Sequence, residues 1–268
     1  MKSTKLYRII LGIVVSVMIF TLFGCGSSEE KQAVSINVYE YVEFGKYNGE
    51  PILWKCVDKS NGGMLVSEYV LCQKAFDAAE NGTANEGSEY DVQKWGSNQW
   101  SNSNIREWLN SSSQTVSFTT QAPVKSAVEG GYNAYADEPG FLSNFTQSER
   151  GKIQAVSHEG VTDKVFLLSE DEVNKYVGSS DSQRKRKITY IGLLKSEHKY
   201  GMGGYYWWYW TRTPYPSYPY GVRSVDSSGH LYYFYANDGF VGVLPALNLQ
   251  SDIFKSGKGT RDEPWKLN

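Results

Sequence analysis

Apolar and polar residues alternate with a period of two along much of this chain, which predicts strands at 36–44, 51–58, 63–72, 164–168, 207–213, 221–226, 230–236 and 240–249. Helical patterning is shorter and rarer. Ser103 precedes Asn104-Ile105-Arg106-Glu107-Trp108-Leu109-Asn110, where Ile105, Trp108 and Leu109 share one helical face. Thr146-Gln147-Ser148-Glu149 and Ser169-Glu170-Asp171-Glu172 each fit a capping box and predict two more helix starts. The stretches 73–100 and 111–140, rich in Asn, Gly, Ser, Asp and Glu, read as surface excursions. No Pro- or Ser-rich linker divides the pattern, so the fold class is α+β, a single domain of mixed β-sheets with a few short helices.

The N-terminus departs from this pattern. Lys2, Lys5 and Arg8 precede an apolar run from Ile9 to Phe20, and Leu22-Phe23-Gly24-Cys25 follows. This is the three-part layout of a secretory signal, with Gly24 before a Cys as in bacterial lipoprotein signals. We therefore expect residues 1–24 to be a signal peptide and Cys25 to be lipid-modified. An uncleaved anchor is the alternative, although the run is short for a spanning helix. Residues 25–35 form a polar tether, 36–250 the domain and 251–268 its C-terminal tail. The expected location is extracytoplasmic, lipid-anchored to a bacterial cell membrane.

Charge then limits the partners. The chain has 27 basic and 29 acidic residues; residues 1–24 hold three of the former and none of the latter, so the processed chain carries 24 against 29. Nucleic acid is not an expected partner. Arg184-Lys185-Arg186-Lys187 is the basic cluster, read as a solvated loop.

With Cys25 assigned to lipid, Cys56 and Cys72 remain, in apolar segments joined by the turn-rich Asp58-Lys59-Ser60-Asn61-Gly62-Gly63. A disulfide between them and a pair of buried free thiols read alike in the sequence. His158, His198 and His230 are far apart and sit in no catalytic or metal-binding spacing, and no phosphate loop or nucleophile elbow occurs. No cofactor is expected. Asp226, Asn237, Asp238 and Asp252 supply oxygen ligands that suit a structural Ca²⁺, while Asn237-Asp238-Gly239 reads equally as a hairpin turn.

Phe44-Gly45-Lys46-Tyr47, Pro51-Ile52-Leu53-Trp54-Lys55-Cys56-Val57 and the Ser103–Asn110 segment resemble the opening signatures of the bacterial DUF6273 family. Phe141-Leu142-Ser143-Asn144-Phe145-Thr146, Thr162–Ser169, Tyr209-Trp210-Thr211-Arg212-Thr213-Pro214 and Gly242–Leu249 follow in the family's order, so the resemblance spans roughly residues 40–250. The family usually has Arg where Leu244 stands, which puts any ion pair of that Arg in doubt. The resemblance implies a C-type-lectin-like fold, related in shape to formylglycine-generating enzymes and phage receptor-binding proteins. It implies no reaction.

Between Tyr205 and Tyr235 lie nine of the 20 Tyr and three of the 8 Trp. Such density marks either an aromatic core or a recognition surface. Within 230–237 the alternation sets His230, Tyr232, Phe234 and Ala236 on one face and Leu231, Tyr233, Tyr235 and Asn237 on the other. Prolines keep Tyr215-Pro216-Ser217-Tyr218-Pro219-Tyr220 out of a central strand, so its three Tyr belong to a loop or edge. Trp207, Trp208, Trp210 and Phe234 we assign mostly to core. The expected ligand face is Tyr215, Tyr218, Tyr220, Ser224, Asp226, His230, Tyr232 and Tyr235, with a glycan or a protein as ligand. Tyr, Ser, Asp, His and Asn at the variable-looking positions share codons related to an Asn codon through adenine changes. Relatives of this shape include targets of diversity-generating retroelements, so the face is expected to be sequence-diversified or, alternatively, a fixed Tyr-rich surface. A binding protein and not an enzyme is the leading reading; an extracytoplasmic enzyme acting on envelope material and a structural envelope lipoprotein are the competing ones.

Overall fold

Ile52, Trp54 and Cys56 are buried while Leu53, Lys55 and Val57 keep partial exposure, so β2 (Glu50–Asp58) turns every second side chain inward. Its neighbours β1 (Tyr41–Tyr47) and β3 (Met64–Ser67) are both antiparallel to it, with Val42 opposite Trp54 and Cys56 opposite Leu65. The computed structural model describes residues 35–87, 91–198, 206–250 and 253–267. The signal peptide, Cys25, nearly all of the tether and Asp252 lie outside the described residues.

These strands belong to a seven-stranded sheet ordered β16 (Trp265–Lys266), β1, β2, β3, β15 (Pro245–Leu249) and β5 (Ile153–Gln154), with β8 (Val165–Leu167) also paired to β15. All five residues of β15 are buried, because strands flank it on both sides; its apolar run therefore lacks alternation. A five-stranded sheet is ordered β13 (Leu231–Tyr235), β12 (Gly221–Val225), β11 (Tyr209–Pro214), β14 (Gly242–Val243) and β4 (Cys72–Gln73). Two ribbons pair β9 (Arg186–Lys187) with β10 (Tyr206–Trp207) and β6 (Val156–His158) with β7 (Val161–Asp163). Among the described residues no helix is long and apolar enough to cross a membrane.

The predicted strand segments all contain strands, but their limits move. The strand in 36–44 starts only at Tyr41, and 63–72 and 240–249 each divide between the two sheets. The second division falls at Leu244, which is buried. It also decides the cysteines. Cys56 lies in the larger sheet and Cys72 in the smaller, so the two form no disulfide; both are free and buried. The chain leaves β3 at Ser67 and crosses to β4 instead of extending the hairpin. Burial pushes each thiol up to about 11.

The helix starts hold. Ser103 Oγ accepts from Arg106 N, and the helix Asn104–Asn110 buries Ile105, Trp108 and Leu109. Both capping boxes form, at Thr146 with Glu149 and at Ser169 with Glu172. Gly45 has a positive φ of 66°, and a Cβ there would fall on the Phe145 ring, so two of the quoted motifs meet in the core.

The excursions are not confined to the surface. Phe76, Asp77, Ala78, Ala79, Trp100, Val128 and Tyr135 are all buried. Asp77 accepts from Ser97 N, Asn104 N and Gln121 Nε2, while Asn104 Oδ1 accepts from Ala78 N and Gln121 Nε2 donates to Ala78 O. The polar side chains that suggest solvent are the internal partners that irregular buried backbone requires.

Candidate ligand face

The loop 215–220 folds back on the hairpin β12–β13. Tyr215 N donates to Gly221 O at 2.8 Å and Gly221 N to Tyr218 O at 3.1 Å. Asn98 pins it from outside: its N donates to Pro219 O at 2.8 Å and its Nδ2 to Tyr218 O at 2.9 Å. This anchoring leaves Pro216, Ser217 and Pro219 exposed.

The result is a file of aromatic rings. Tyr232 stacks on Tyr233 (centroids 5.5 Å apart), Tyr233 on Tyr215 (4.1 Å), Tyr215 leans on Tyr218 (5.6 Å) and Tyr218 stacks on Tyr220 (5.4 Å). Tyr220 then meets Tyr235 edge-on at 5.3 Å, and Tyr235 meets Trp95 at 4.6 Å. Exposure falls along the file from Tyr232, 52% exposed, to Tyr220, 2%. Tyr233, Tyr215, Tyr218 and Tyr235 are half-buried. Burial, then the neighbouring phenols, raise the Tyr233 hydroxyl, which stays a neutral donor and acceptor.

On the face of β13 opposite Tyr233 and Tyr235, the one that Tyr232 shares, Phe234 packs against Trp210 (6.3 Å), Trp208 (6.4 Å) and Phe240 (5.2 Å) and meets Tyr232 at 5.4 Å. Trp207 and Trp210 are buried, and Trp208 and Phe234 are partly so. Both faces of β13 are thus aromatic, one set by the core and one by the folded-back loop.

Charged groups frame the rings. The Arg223 guanidinium lies 4.8 Å over the Tyr215 ring, with its Nε 3.1 Å from Glu170 Oε2. At the hairpin turn, Asp226 Oδ1 accepts from Ser228 N and His230 N. His230 Nδ1 lies 3.2 Å from Asp226 Oδ2 and its Nε2 3.1 Å from Asp181 Oδ2. Arg184 ties this turn down by donating from Nε to Gly229 O at 2.8 Å and pairing with Asp181. It is buried, which corrects the reading of 184–187 as a solvated loop.

The expected ligand face is therefore divided. Tyr232 and His230 are exposed, and Tyr215, Tyr218, Tyr235 and Asp226 are partly so. Tyr220 and Ser224 are not available: Tyr220 is covered by Tyr218 and Tyr235, and Ser224 sits mid-sheet between Trp210 and Tyr232. The oxygen ligands do not converge either. Asp226 precedes β13 and Asp238 follows its other end, Asn237 is buried with its Nδ2 on Lys94 O, and Asp238 accepts from Tyr235 N. Burial and the adjoining Glu129 push the Asp238 carboxyl well up. Among the described residues no three His, Cys, Asp or Glu side chains are grouped as a metal would require.

Tyr233, Arg223, Asn98 and Asp181 join the face without having been expected there. Tyr233 was within reach, since it alternates with Tyr235; Asn98 and Asp181 carry no local signal, because only the fold brings them to the hairpin.

No curated protein and no solved structure matches the chain. Residues 61–251 match a family model, more than half of the chain, although the quoted motifs at 44–57 precede the match. The chain therefore belongs to the family described as a domain of unknown function, DUF6273.

Proposed function

We propose that this protein is a surface-anchored lipoprotein whose Tyr-rich C-terminal face binds a ligand, a glycan or a protein. The observation that carries this reading is the ring file: a run of Tyr side chains held rigid from below and open at Tyr232, with Arg223, His230 and Asp226 beside it. Fixed aromatic rings with polar tips lose little conformational entropy on contact, which favours recognition. In this reading Tyr232, Tyr233, Tyr215 and Tyr218 stack on the partner, and Arg223, His230 and Asp226 orient it by hydrogen bonds. The anchor is the lipid on Cys25, and the scaffold is a C-type-lectin-like domain; the mixed sheets with short helices and the long packed excursions accord with such a scaffold.

If the face is diversified, substitutions belong at positions where the core does not object, such as Ser217, Ser228, His230 and Tyr232, and not at Tyr220 or Ser224. Sequencing the locus across a population tests this. Adenine-linked changes confined to open positions support diversification, and uniform codons throughout 215–240 refute it.

The binding proposal is tested by screening the full-length protein against glycans and cell-surface proteins beside Tyr232→Ala/Tyr233→Ala. A ligand that the wild type retains and the variant loses supports the face. Equal retention by both removes it.

A further inference from the structure

Away from the Tyr face, residues Val173–Val177 form a π-helical turn, which runs on from the capped helix Glu170–Glu172 and ends at Gly178. Single π turns are rare and recur at functional sites. This one is fastened to β2: the Tyr176 hydroxyl donates to Asp58 Oδ2 at 3.0 Å and receives from Lys175 Nζ at 3.0 Å. The turn borders a cavity of about 540 Å³ whose other wall is the outward side of β2 and β3, through Lys55, Val57 and Val66. That volume lies within the range of small-ligand sites.

The charge of this cavity runs against that of the chain. Lys55, Lys175 and Arg186 line it, and among the described residues none of the three makes an ion pair. The acid that lines it, Glu68, is held by Arg261 Nη2 at 3.0 Å. A chain of net charge −2 has thus gathered three unpaired cations around one concavity, which focuses positive potential there. Tyr39, 70% exposed, stands at the rim with Lys55 Nζ 5.3 Å from its ring centroid. Its ring offers an apolar plate beside the cations, the surface that the C–H face of a sugar ring packs against.

We infer that this cavity binds an acidic saccharide. Lys55, Lys175 and Arg186 take its carboxylate or phosphate, and Tyr39 packs on the ring. Lysines serve either anion, since an ammonium acts as a point charge without the planar fork that would prefer one geometry. The site shares no lining residue with the Tyr face, so each stands or fails alone.

Calorimetric titration of the full-length protein with D-glucuronate, glucose 6-phosphate and glucose tests it. At least one acid is expected to bind, with glucose about tenfold weaker or undetected, and Lys55→Ala/Lys175→Ala/Arg186→Ala is expected to weaken the acid by about tenfold or more. Binding of glucuronate alone identifies a carboxylate ligand, of glucose 6-phosphate alone a phosphate one, and of both a site that reads charge. Affinity should also fall as salt rises, because the contact is ionic and open to solvent. The inference is overturned if neither acid binds, if glucose binds equally, or if the triple variant keeps its affinity. Should the triple variant unfold, Lys175→Ala alone carries the same test, since that side chain is exposed. Tyr232→Ala/Tyr233→Ala should leave the affinity unchanged.

Discussion

The Tyr215 and Tyr233 rings lie 4.1 Å apart and 10° from parallel, which clamps the loop 215–220 to the edge strand β13. The stack separates two classes of Tyr that composition cannot. Tyr232→Ala should cost about 1 kcal/mol or less, since its ring is half open and loses only the Tyr233 and Phe234 contacts, whereas Tyr220→Ala should cost about 3 kcal/mol by emptying a covered site. Urea unfolding of both variants measures this; equal losses would mean that the file is not graded.

Arg212 is buried and is held by Glu172 through Nη1 to Oε2 at 2.5 Å and Nη2 to Oε1 at 3.2 Å. Among the described residues, removing the carboxylate leaves that buried charge only the acid Glu159, whose Oε1 lies 3.4 Å from Arg212 Nε. Glu172→Ala should destabilise by about 2–4 kcal/mol, and adding Arg212→Met should recover part of the loss. A double variant as unstable as the sum of its singles would deny the coupling.

Burial raises the Asp77 carboxyl to about 7 from an ordinary 3.8, against the pull of Ser97 N, Asn104 N and Gln121. Across that interval the folded state binds the proton more tightly than the unfolded one. Its stabilising effect is therefore complete below about pH 4 and is lost as pH rises through about 7. Asp238 acts in the same direction. Glu172 opposes both: burial raises it, but the hydrogen bond and charge of Arg212 outweigh this and leave it below its ordinary 4.5, so its contribution is lost as pH falls. Melting temperature should thus be highest at about pH 4 and decline toward pH 7, less steeply for the burial that lowers His158 and His198 and so acts oppositely, and Asp77→Asn should flatten the decline. An unchanged slope in that variant would show that Asp77 is not its source.

Cys56 and Cys72 sit free in different sheets with their thiols pushed up to about 11. Both should resist iodoacetamide in the folded protein and react fully in denaturant without prior reduction, as peptide mass analysis would record. A peptide pair released only by reductant would contradict the fold.

Helix caps and strand positions were legible in the sequence because both are local. Ser103, Thr146 and Ser169 announce their helices through the hydroxyl and, in two cases, the Glu three residues on, and each forms the expected cap. Strand ends were less legible. Nothing local in 63–72 or 240–249 marks where a continuous apolar run passes from one sheet to the other. The excursions misled for a related reason: Asp77 and Gln121 look hydrophilic one at a time, and only their bonds to each other and to the helix residue Asn104 carry Asp77 inside.

The sequence by itself determined the alternating strands, the capped helices, the family and the concentration of Tyr in 215–235, since each follows from nearest-neighbour chemistry or from motifs in order. Tertiary structure alone decided which of those Tyr are open. Tyr220 and Tyr232 belong to the same aromatic run, yet the fold-back of 215–220, pinned by Asn98, buries one and leaves the other at the edge. Exposure depends on what packs against a side chain, and here the residue that holds Tyr218 over Tyr220 is Asn98, more than 100 positions away, which no local pattern encodes.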